Sequence, residues 1–292
     1  MKKKKQFNRY KYSMAVPALT LYTVFYIIPI LLGFVMAFTN WNIRSLYSAQ
    51  FTGLKNFIGI LQDENFILSV KNTLLFAFFT TVLKVGFGLL LAMLMTMPFK
   101  TRNIMRSIYY LPAVLSTVVI GLVFTAFFGV DGMFDSFLHS LGMRETAIWL
   151  GDARTALGCV IAVEVWQWSG FSMMLFIAGL QGIDQTYYEA ALMDGAGKWQ
   201  KFRSITLPLL APSFTMTVLT NLIGGLKVFD KVYVLTNGGP GYATQVMGTY
   251  VYKSFSAGFL GKSSAMSLVL TILVSAVTLL INRNLKGREV DM

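Results

Sequence analysis

Charged residues are scarce in this chain. Asp, Glu, Lys and Arg make up 13% of its 292 residues, whereas a soluble domain carries about 25%. Apolar residues account for 55%, and the mean hydropathy is +0.61. A water-soluble globule of this size could not bury that much apolar surface and still cover itself with polar groups. The composition therefore disfavours a soluble enzyme, a disordered chain and a nucleic-acid-binding domain.

Residues that build catalytic and metal sites are also rare. Cys159 is the only cysteine and lies in an apolar run, so no disulfide can form within the chain and a small buried side chain is expected. His139 is the only histidine, which leaves Ser–His–Asp catalysis without a choice of base. The sequence has no Walker A, GxSxG or CxxC motif. We therefore expect no metal and no cofactor bound by this chain.

Six stretches are long and apolar enough to cross a lipid bilayer as helices, which requires about 20 residues each. They do not alternate as barrel strands do. The six runs are Met14–Thr39, Asn72–Met97, Ile108–Val130, Thr155–Leu180, Leu207–Leu226 and Ser263–Asn282. Lys84 and Glu164 are the charged residues within them. The sequence thus predicts an all-α polytopic membrane protein with six transmembrane helices.

The distribution of Lys and Arg predicts the orientation. These residues are densest in the N-terminal segment, in the loops after the second and fourth runs, and in the C-terminal segment. The positive-inside rule then places both termini in the cytoplasm. The run Lys2–Lys5 is expected to anchor to anionic lipid rather than to nucleic acid. The first run exceeds the 7–15 apolar residues of a signal peptide, so we interpret it as a retained span.

The loop between the fourth and fifth runs, residues 184–208, has helical signals of its own. Asp184 is a suitable N-cap for a short helix that extends to about Leu192. Gly195 and Gly197 would end that helix, because a left-handed position favours glycine. A second short helix would then lead to Pro208 in the first turn of the fifth span. Apolar side chains at three- to four-residue spacing indicate either an interfacial helix pair or a docking element for a cytoplasmic partner.

This loop also carries a specific motif. Glu189-Ala190-Ala191 is followed after three intervening residues by Gly195, and after nine further intervening residues by Ile205-x-Leu207-Pro208. The pattern resembles the EAA loop of ABC-importer permeases at every motif position. In that family the loop forms coupling helices that sit in a cleft of the ATPase subunit. The resemblance implies an ATPase-contacting set of Tyr188, Glu189, Ala190, Ala191, Asp194 and Gly195.

A second motif follows the fifth run. Asn-Gly-Gly-Pro-Gly at 237–241 is by itself a turn signal. Together with Phe229 and Thr236 before it and with Tyr252, Phe255 and Gly261 after it, it resembles the carbohydrate branch of these permeases. There the loop faces the external side, near the solute-binding protein. The residues implied in this loop are Asn237, Gly238, Gly239 and Pro240.

Polar and small residues within the runs suggest a substrate path. A carboxylate in a span costs about 2.5 kcal/mol or more, so Glu164 should face a water-filled cavity or pair with Lys84. Trp166 or Trp168, with Gln167 between them, suits a sugar, although helical spacing prevents all three from facing one way. Pro112 could widen the third helix and free carbonyls, and glycines in the fifth could permit close packing. The candidate path residues are Ser116, Thr117, Glu164, Trp166, Trp168, Ser172, Asn221, Gly224 and Gly225.

The resemblance implies a sugar importer that works by alternating access, in a bacterial or archaeal cell membrane. Its expected partners are a second homologous permease, two ATPase subunits that bind the ATP and Mg²⁺, an extracytoplasmic solute-binding protein and the lipid bilayer, with no nucleic acid. We expect residues 1–71 to form a basic tail, an extra span and an external loop, and residues 72–292 to form the permease core. Polyols and glycerol-phosphate-like solutes are alternative substrates. An ion-driven secondary transporter, and a membrane enzyme that uses Glu164 or Asp194, are alternative functions.

Overall fold

The structure, a computed structural model, describes residues 14–45, 47, 49–142 and 148–287. The lysine run Lys2–Lys5, predicted to be a lipid anchor, lies outside the described residues. Helices dominate the described part, which also has an isolated antiparallel bridge between Thr39 and Phe51. The helices are α1 (Val16–Met36), α2 (Lys55–Leu61), α3 (Glu64–Thr96), α4 (Arg102–Val114), α5 (Thr117–Phe127), α6 (Met133–Ser140), α7 (Ala156–Gln181), α8 (Gln185–Met193), α9 (Lys198–Leu209), α10 (Ala211–Leu226), α11 (Asp230–Thr236), α12 (Met247–Ser256) and α13 (Leu260–Lys286).

The described residues fall into two compact units. The first comprises the residues up to Ile60 together with Lys253–Leu268. Its helix α1 is apolar and has no buried side chain. The loop after α1 is held by Asn56, whose Nδ2 donates to the carbonyl oxygens of Ala37 at 2.8 Å and Thr39 at 2.7 Å. This unit therefore combines an ordered loop with a helix whose apolar surface faces outward.

The second unit comprises Leu61–Tyr252 and the residues from Val269 onward. At the centre of this unit, helix α3 packs against α7 and α10. Helix α4 also packs against α7. Gly170 permits that second contact, because a Cβ there would lie 1.9 Å from the carbonyl oxygen of Tyr109. Buried apolar side chains such as Phe76, Val163 and Val232 fill the space between the helices. These close contacts fix the side chains that α3, α7 and α10 turn toward each other.

Four helices in the described residues are long and apolar enough to span a membrane: α1, α3, α7 and α13. Two bent pairs, α4 with α5 and α9 with α10, could each count as one further span, which gives up to six. The six apolar runs of the sequence match these four helices and two pairs. The prediction of an all-α polytopic membrane protein is therefore confirmed.

The sequence predicted one continuous helix for the third apolar run, but the structure divides this run between two helices. Helices α4 and α5 meet at 94°, and Leu115 and Ser116 between them have extended backbones with ψ of 145° and 133°. Pro112 lies inside α4 just before this break. Proline has no N–H and crowds the carbonyl one turn earlier, which weakens the helix at this point.

The fifth apolar run is also divided between two helices. Pro208 belongs to α9 rather than to the first turn of α10, and α9 meets α10 at 65° around Leu210. Pro212 occupies the first turn of α10 instead. Two prolines four residues apart each remove a helical N–H, so the helix bends between them.

Candidate functional site

A cavity of about 330 Å³ lies in the second unit, where α3, α5, α7, α10 and α11 meet. Small-molecule sites have volumes of about 300–1,000 Å³. Aromatic, polar and charged side chains line this cavity together. They are Lys84, Thr117, Glu164, Trp168, Phe171, Thr220, Asn221, Gly224, Lys227, Val228, Phe229, Asp230 and Lys231.

Lys84 and Glu164 form a buried ion pair at the cavity wall. The Nζ of Lys84 lies 3.1 Å from Oε1 of Glu164, and the two side chains are 3% and 11% exposed. The sequence left open whether Glu164 pairs with Lys84 or faces a cavity. In the structure the two residues pair with each other, and both line the cavity. Because a buried charge requires a partner, the pair explains how helices α3 and α7 each carry a charged residue at their contact.

A second buried chain of polar groups joins three helical segments. The Nζ of Lys231 in α11 donates a hydrogen bond to Oε1 of Gln167 in α7. The Nε2 of Gln167 donates to the carbonyl oxygen of Leu115 at 3.2 Å. That carbonyl belongs to the break between α4 and α5, where the chain leaves helical geometry. Gln167 thus satisfies a backbone group that the break releases and contacts a lysine at the cavity.

Asn221 in α10 provides the amide of the cavity wall. Its Nδ2 donates to Oγ of Ser172 at 2.9 Å and to the carbonyl oxygen of Thr217 at 2.9 Å. Asn221 and Ser172 are both buried. Since Ser172 is not among the lining residues, it supports Asn221 from behind.

The structure separates the predicted path residues into two groups. Thr117, Glu164, Trp168, Asn221 and Gly224 line the cavity, and the others do not. Ser116 is exposed at the break. Gly225 packs against α3, where an added Cβ would lie 2.8 Å from Cα of Ala77, whereas an added Cβ at Gly224 would meet nothing within 4 Å.

Trp166 lies on the other side of α7 from the cavity. It is 47% exposed and packs edge-on against Phe124, with ring centroids 5.1 Å apart. It lines an apolar groove of about 850 Å³ with residues of α3 and α4 such as Phe87 and Leu111. Trp166 and Trp168 therefore face different surroundings, as helical spacing predicts.

The predicted coupling segment is a pair of short helices. The side chain of Asp184 accepts a hydrogen bond from the amide of Thr186 at 3.0 Å, which caps α8 and lowers the pKa of the carboxyl group. Gly195 ends the helix with φ of +75°, and the amide of Ala196 donates to the carbonyl of Ala191 at 2.9 Å, the bond of a Schellman turn. Gly197 precedes α9 with φ of −70°, so it starts the second helix instead of ending the first.

The implied ATPase-contacting residues are mostly on the surface of this pair. Glu189, Ala190, Asp194 and Gly195 are exposed, and Ala191 is half-buried. Tyr188 is half-buried and its hydroxyl shares a hydrogen bond of 2.9 Å with Oγ1 of Thr206. That bond ties α8 to the end of the second helix. Apolar side chains beside the motif are exposed, as Leu192 and Trp199 are 64% and 71% exposed.

The segment around residues 237–240 is a folded loop and not a bare turn. Asn237 has a left-handed backbone with φ of 49°. Oγ1 of Thr244 donates to the carbonyl of Gly239 at 2.6 Å. The Nδ2 of Asn72 in α3 donates to the carbonyls of Ala243 and Gln245, each at 3.0 Å. The side chain of Asn72 therefore fixes this loop to the beginning of the central helix.

Sequence reasoning missed Lys231, Phe171 and Thr220 as cavity residues. Lys231 lies outside the six apolar runs, because α11 is too short to resemble a span. A signal was nevertheless present, since Lys231 is followed by the apolar Val232 and Val234 and lies shortly after a span. Among the described residues, no group of three or more His, Cys, Asp or Glu side chains could hold a metal ion.

Comparisons with known proteins identify the family. Residues 84–288 match the model of the binding-protein-dependent transport system inner membrane component. The chain is 36% identical to the probable ABC transporter permease YurN of Bacillus subtilis, over 92% of this chain and 93% of that one. It is 33% identical to the trehalose/maltose transport system permease MalF of Thermococcus litoralis, over 92% and 90%. Further relatives at similar identity are named as sugar transport permeases.

A solved structure shares the fold. It is that of a bacterial alginate ABC transporter in complex with an alginate pentasaccharide-bound periplasmic protein, with a TM-score of 0.81 and 24% identity over 93% of this chain and 92% of that chain. The chain therefore belongs to the family of binding-protein-dependent ABC transporter permeases, within which it is similar to those of the carbohydrate-uptake type.

Proposed function

We propose that this permease subunit forms half of the translocation path of an ATP-driven importer of sugars, including oligosaccharides. The cavity is the observation that carries the proposal. Trp168 and Phe171 offer flat apolar faces, and Thr117 and Asn221 offer hydrogen-bonding groups. Sugars present both C–H patches and hydroxyls, so this combination suits them. Similarity to a trehalose/maltose permease supports the same substrate class.

Membership of the family removes two alternatives. The chain is a multi-pass protein of the bacterial or archaeal cytoplasmic membrane, and it is a transport component without catalytic activity of its own. A membrane enzyme that uses Glu164 or Asp194, and a transporter driven by an ion gradient, are therefore set aside. No cofactor is assigned to this chain, and ATP and Mg²⁺ would bind to the partner ATPases.

The topology we propose has six spans with both termini in the cytoplasm. In it, the bent pair α4–α5 acts as one span, α10 is the membrane-crossing part of the pair α9–α10, residues 72–292 form the permease core, and residues 1–71 add the first span. The segment 184–208 then lies in the cytoplasm, and the loop 237–240 lies outside. The density of basic residues in the proposed cytoplasmic segments supports this orientation.

The proposed assembly pairs this chain with a second, homologous permease and with two ATPase subunits. Closure of the ATPases on ATP would push α8 and α9, and the helices would tilt to open the cavity outward. The exposed Glu189 and Gly195, with Leu192 and Trp199 beside them, offer charge and apolar surface for that contact. The loop at Asn237–Pro240 is the proposed docking side for a solute-binding protein.

The test is sugar uptake by liposomes that contain the complete importer, with labelled trehalose and maltose as probes. Glu189→Lys and Gly195→Pro should abolish uptake and the ATPase stimulation by the binding protein, while the variants still insert into the membrane and assemble. Gln200→Lys, on the exposed surface of α9 but outside the motif, is the matched control and should transport normally. Normal uptake by both motif variants would refute the coupling assignment, and uptake that continues without ATP would refute the importer class.

A further inference from the structure

The buried charges of the cavity do not balance. Lys84, Glu164 and Lys231 are only 2%, 8% and 3% exposed. Lys84 pairs with Glu164 at 3.1 Å, whereas the described hydrogen bond of Lys231 goes to the neutral amide of Gln167. Lys227 and Asp230 also line the cavity, but both are exposed and their charges offset each other. The buried wall thus has two ammonium groups and one carboxylate.

Gln167 cannot supply the missing charge. Its amide N–H group donates to the carbonyl of Leu115, so its oxygen must face the ammonium of Lys231, which can only donate. That hydrogen bond reduces the loss of hydration but leaves the positive charge in place. The acidic groups that act on Lys231 are Glu164, already bound to Lys84, and the exposed Asp230.

A surplus buried cation is unfavourable unless an anion joins it. Removing an ammonium from water without a counter-charge is strongly opposed, and ionisable groups within membrane proteins commonly mark a substrate path. The surplus faces a cavity large enough for a small molecule, beside the aromatic ring of Trp168. An anionic group on a bound ligand could therefore neutralise the surplus positive charge of the cavity wall.

We propose that the cavity binds a sugar that carries one anionic group, a carboxylate, phosphate or sulfate, and that Lys231 recognises this group. Trp168 and Phe171 would then contact the sugar ring, and Asn221 its hydroxyls. This inference rests on the proposed sugar import and narrows its substrate class.

The first experiment measures binding to the permease–ATPase complex without the solute-binding protein, so that the receptor's own selectivity does not contribute. Two matched pairs of probes differ in charge: trehalose against trehalose 6-phosphate, and maltose against maltobionate. The expected result is that the anionic member of at least one pair binds about tenfold or more tightly than its neutral counterpart. Equal or weaker binding of both anionic probes would overturn the inference.

Three variants test the role of Lys231. Lys231→Gln removes the charge, and Gln167→Glu gives Lys231 a carboxylate of its own, so each should reduce the anionic-to-neutral preference by about tenfold. Lys231→Arg keeps the charge and should keep the preference. Lys71→Gln, an exposed lysine of α3, is the matched control. If Lys231 had only a structural role, Lys231→Gln would weaken the binding of the anionic and the neutral probe equally, and the ratio of their affinities would not change.

Two further outcomes are informative. Uptake of neutral sugars with refusal of both anionic probes would overturn this inference and leave sugar import intact, whereas no uptake of any sugar would overturn sugar import itself. The binding measurement is repeated in nanodiscs of phosphatidylcholine with and without phosphatidylglycerol. The complex could instead be stabilised by phosphatidylglycerol and by neither anionic sugar. If Lys231→Gln abolished that stabilisation, the occupant would be a lipid headgroup, and the sugar assignment would be refuted.

Discussion

The helix pair α8–α9 and the central cavity place their polar side chains in opposite settings. Glu189 and Asp194 stand on an exposed surface, whereas Lys84 and Lys231 are buried and each contacts a side chain of α7. An exposed side chain can be replaced with little effect on folding, because water satisfies whatever it leaves. A buried polar side chain cannot, because its partner is left without a bond. We therefore expect function and stability to change together where a buried polar side chain of the cavity is replaced, and separately at the helix pair.

The largest loss of stability is expected for Glu164→Gln. The variant leaves the buried Lys84 and Lys231 without a buried carboxylate, and breaking such a pair costs about 3–5 kcal/mol. The thermal unfolding midpoint of the purified chain in detergent should fall sharply. Adding Lys84→Met to the same variant should recover part of the loss, because it removes one unpaired charge. A midpoint equal to that of the parent would show that water reaches the pair.

A smaller loss is expected at Gly225, and its neighbour Gly224 is the matched control. Alanine at 225 would bring a Cβ within 2.8 Å of Cα of Ala77 and push α10 from α3, a strain of about 1–3 kcal/mol. Alanine at 224 points into the cavity, where nothing lies within 4 Å, so it should reduce sugar uptake while the unfolding midpoint stays unchanged. Equal effects of the two substitutions on the unfolding midpoint would contradict the difference in packing, in which Gly225 lies against α3 and Gly224 faces the cavity.

The smallest effect is expected for Tyr188→Phe in the helix pair. It removes the 2.9 Å hydrogen bond to Thr206, which contributes about 0.5–1.5 kcal/mol. The unfolding midpoint should barely move, but less sugar should be carried per ATP hydrolysed because α8 is no longer tied to the segment at Thr206. Tyr187→Phe at the exposed neighbouring tyrosine should leave both quantities unchanged. A reduced coupling ratio in that control would instead indicate a direct contact of the tyrosine surface with the ATPase.

Local signals explain what could be predicted from the sequence. Asp184 and Gly195 bound α8 because a cap and a left-handed glycine act within one turn of the residues they control. Apolar runs likewise identify spans, because length in the bilayer is a local property. The two bends were not predicted from the sequence. Proline marks a weak point in a helix, but contacts with neighbouring helices decide whether the chain turns there. At the first bend, Gln167 of α7 provides such a contact by donating a hydrogen bond to the carbonyl oxygen of Leu115.

The cavity itself was only partly predictable. Lys84 and Glu164 stand out because they interrupt apolar runs, so their pairing was one of the alternatives considered. Lys231 and Gln167 meet across 64 positions of the chain, and no local pattern relates them. The placement of Trp168 in the cavity and of Trp166 in the groove depends on the rotation of α7, which the packing of Gly170 against Tyr109 sets.

The length of α3 connects the loop at residues 243–245 with the cavity. At 1.5 Å per residue, its 33 residues extend about 50 Å, well beyond the ~30 Å hydrocarbon thickness. Asn72, near its beginning, holds the loop at residues 243–245, and Lys84 lies about 18 Å further along the axis. No proline interrupts the helix. It can therefore act as a stiff strut, so that a force applied to that loop would displace the ammonium of Lys84 and the carboxylate bound to it.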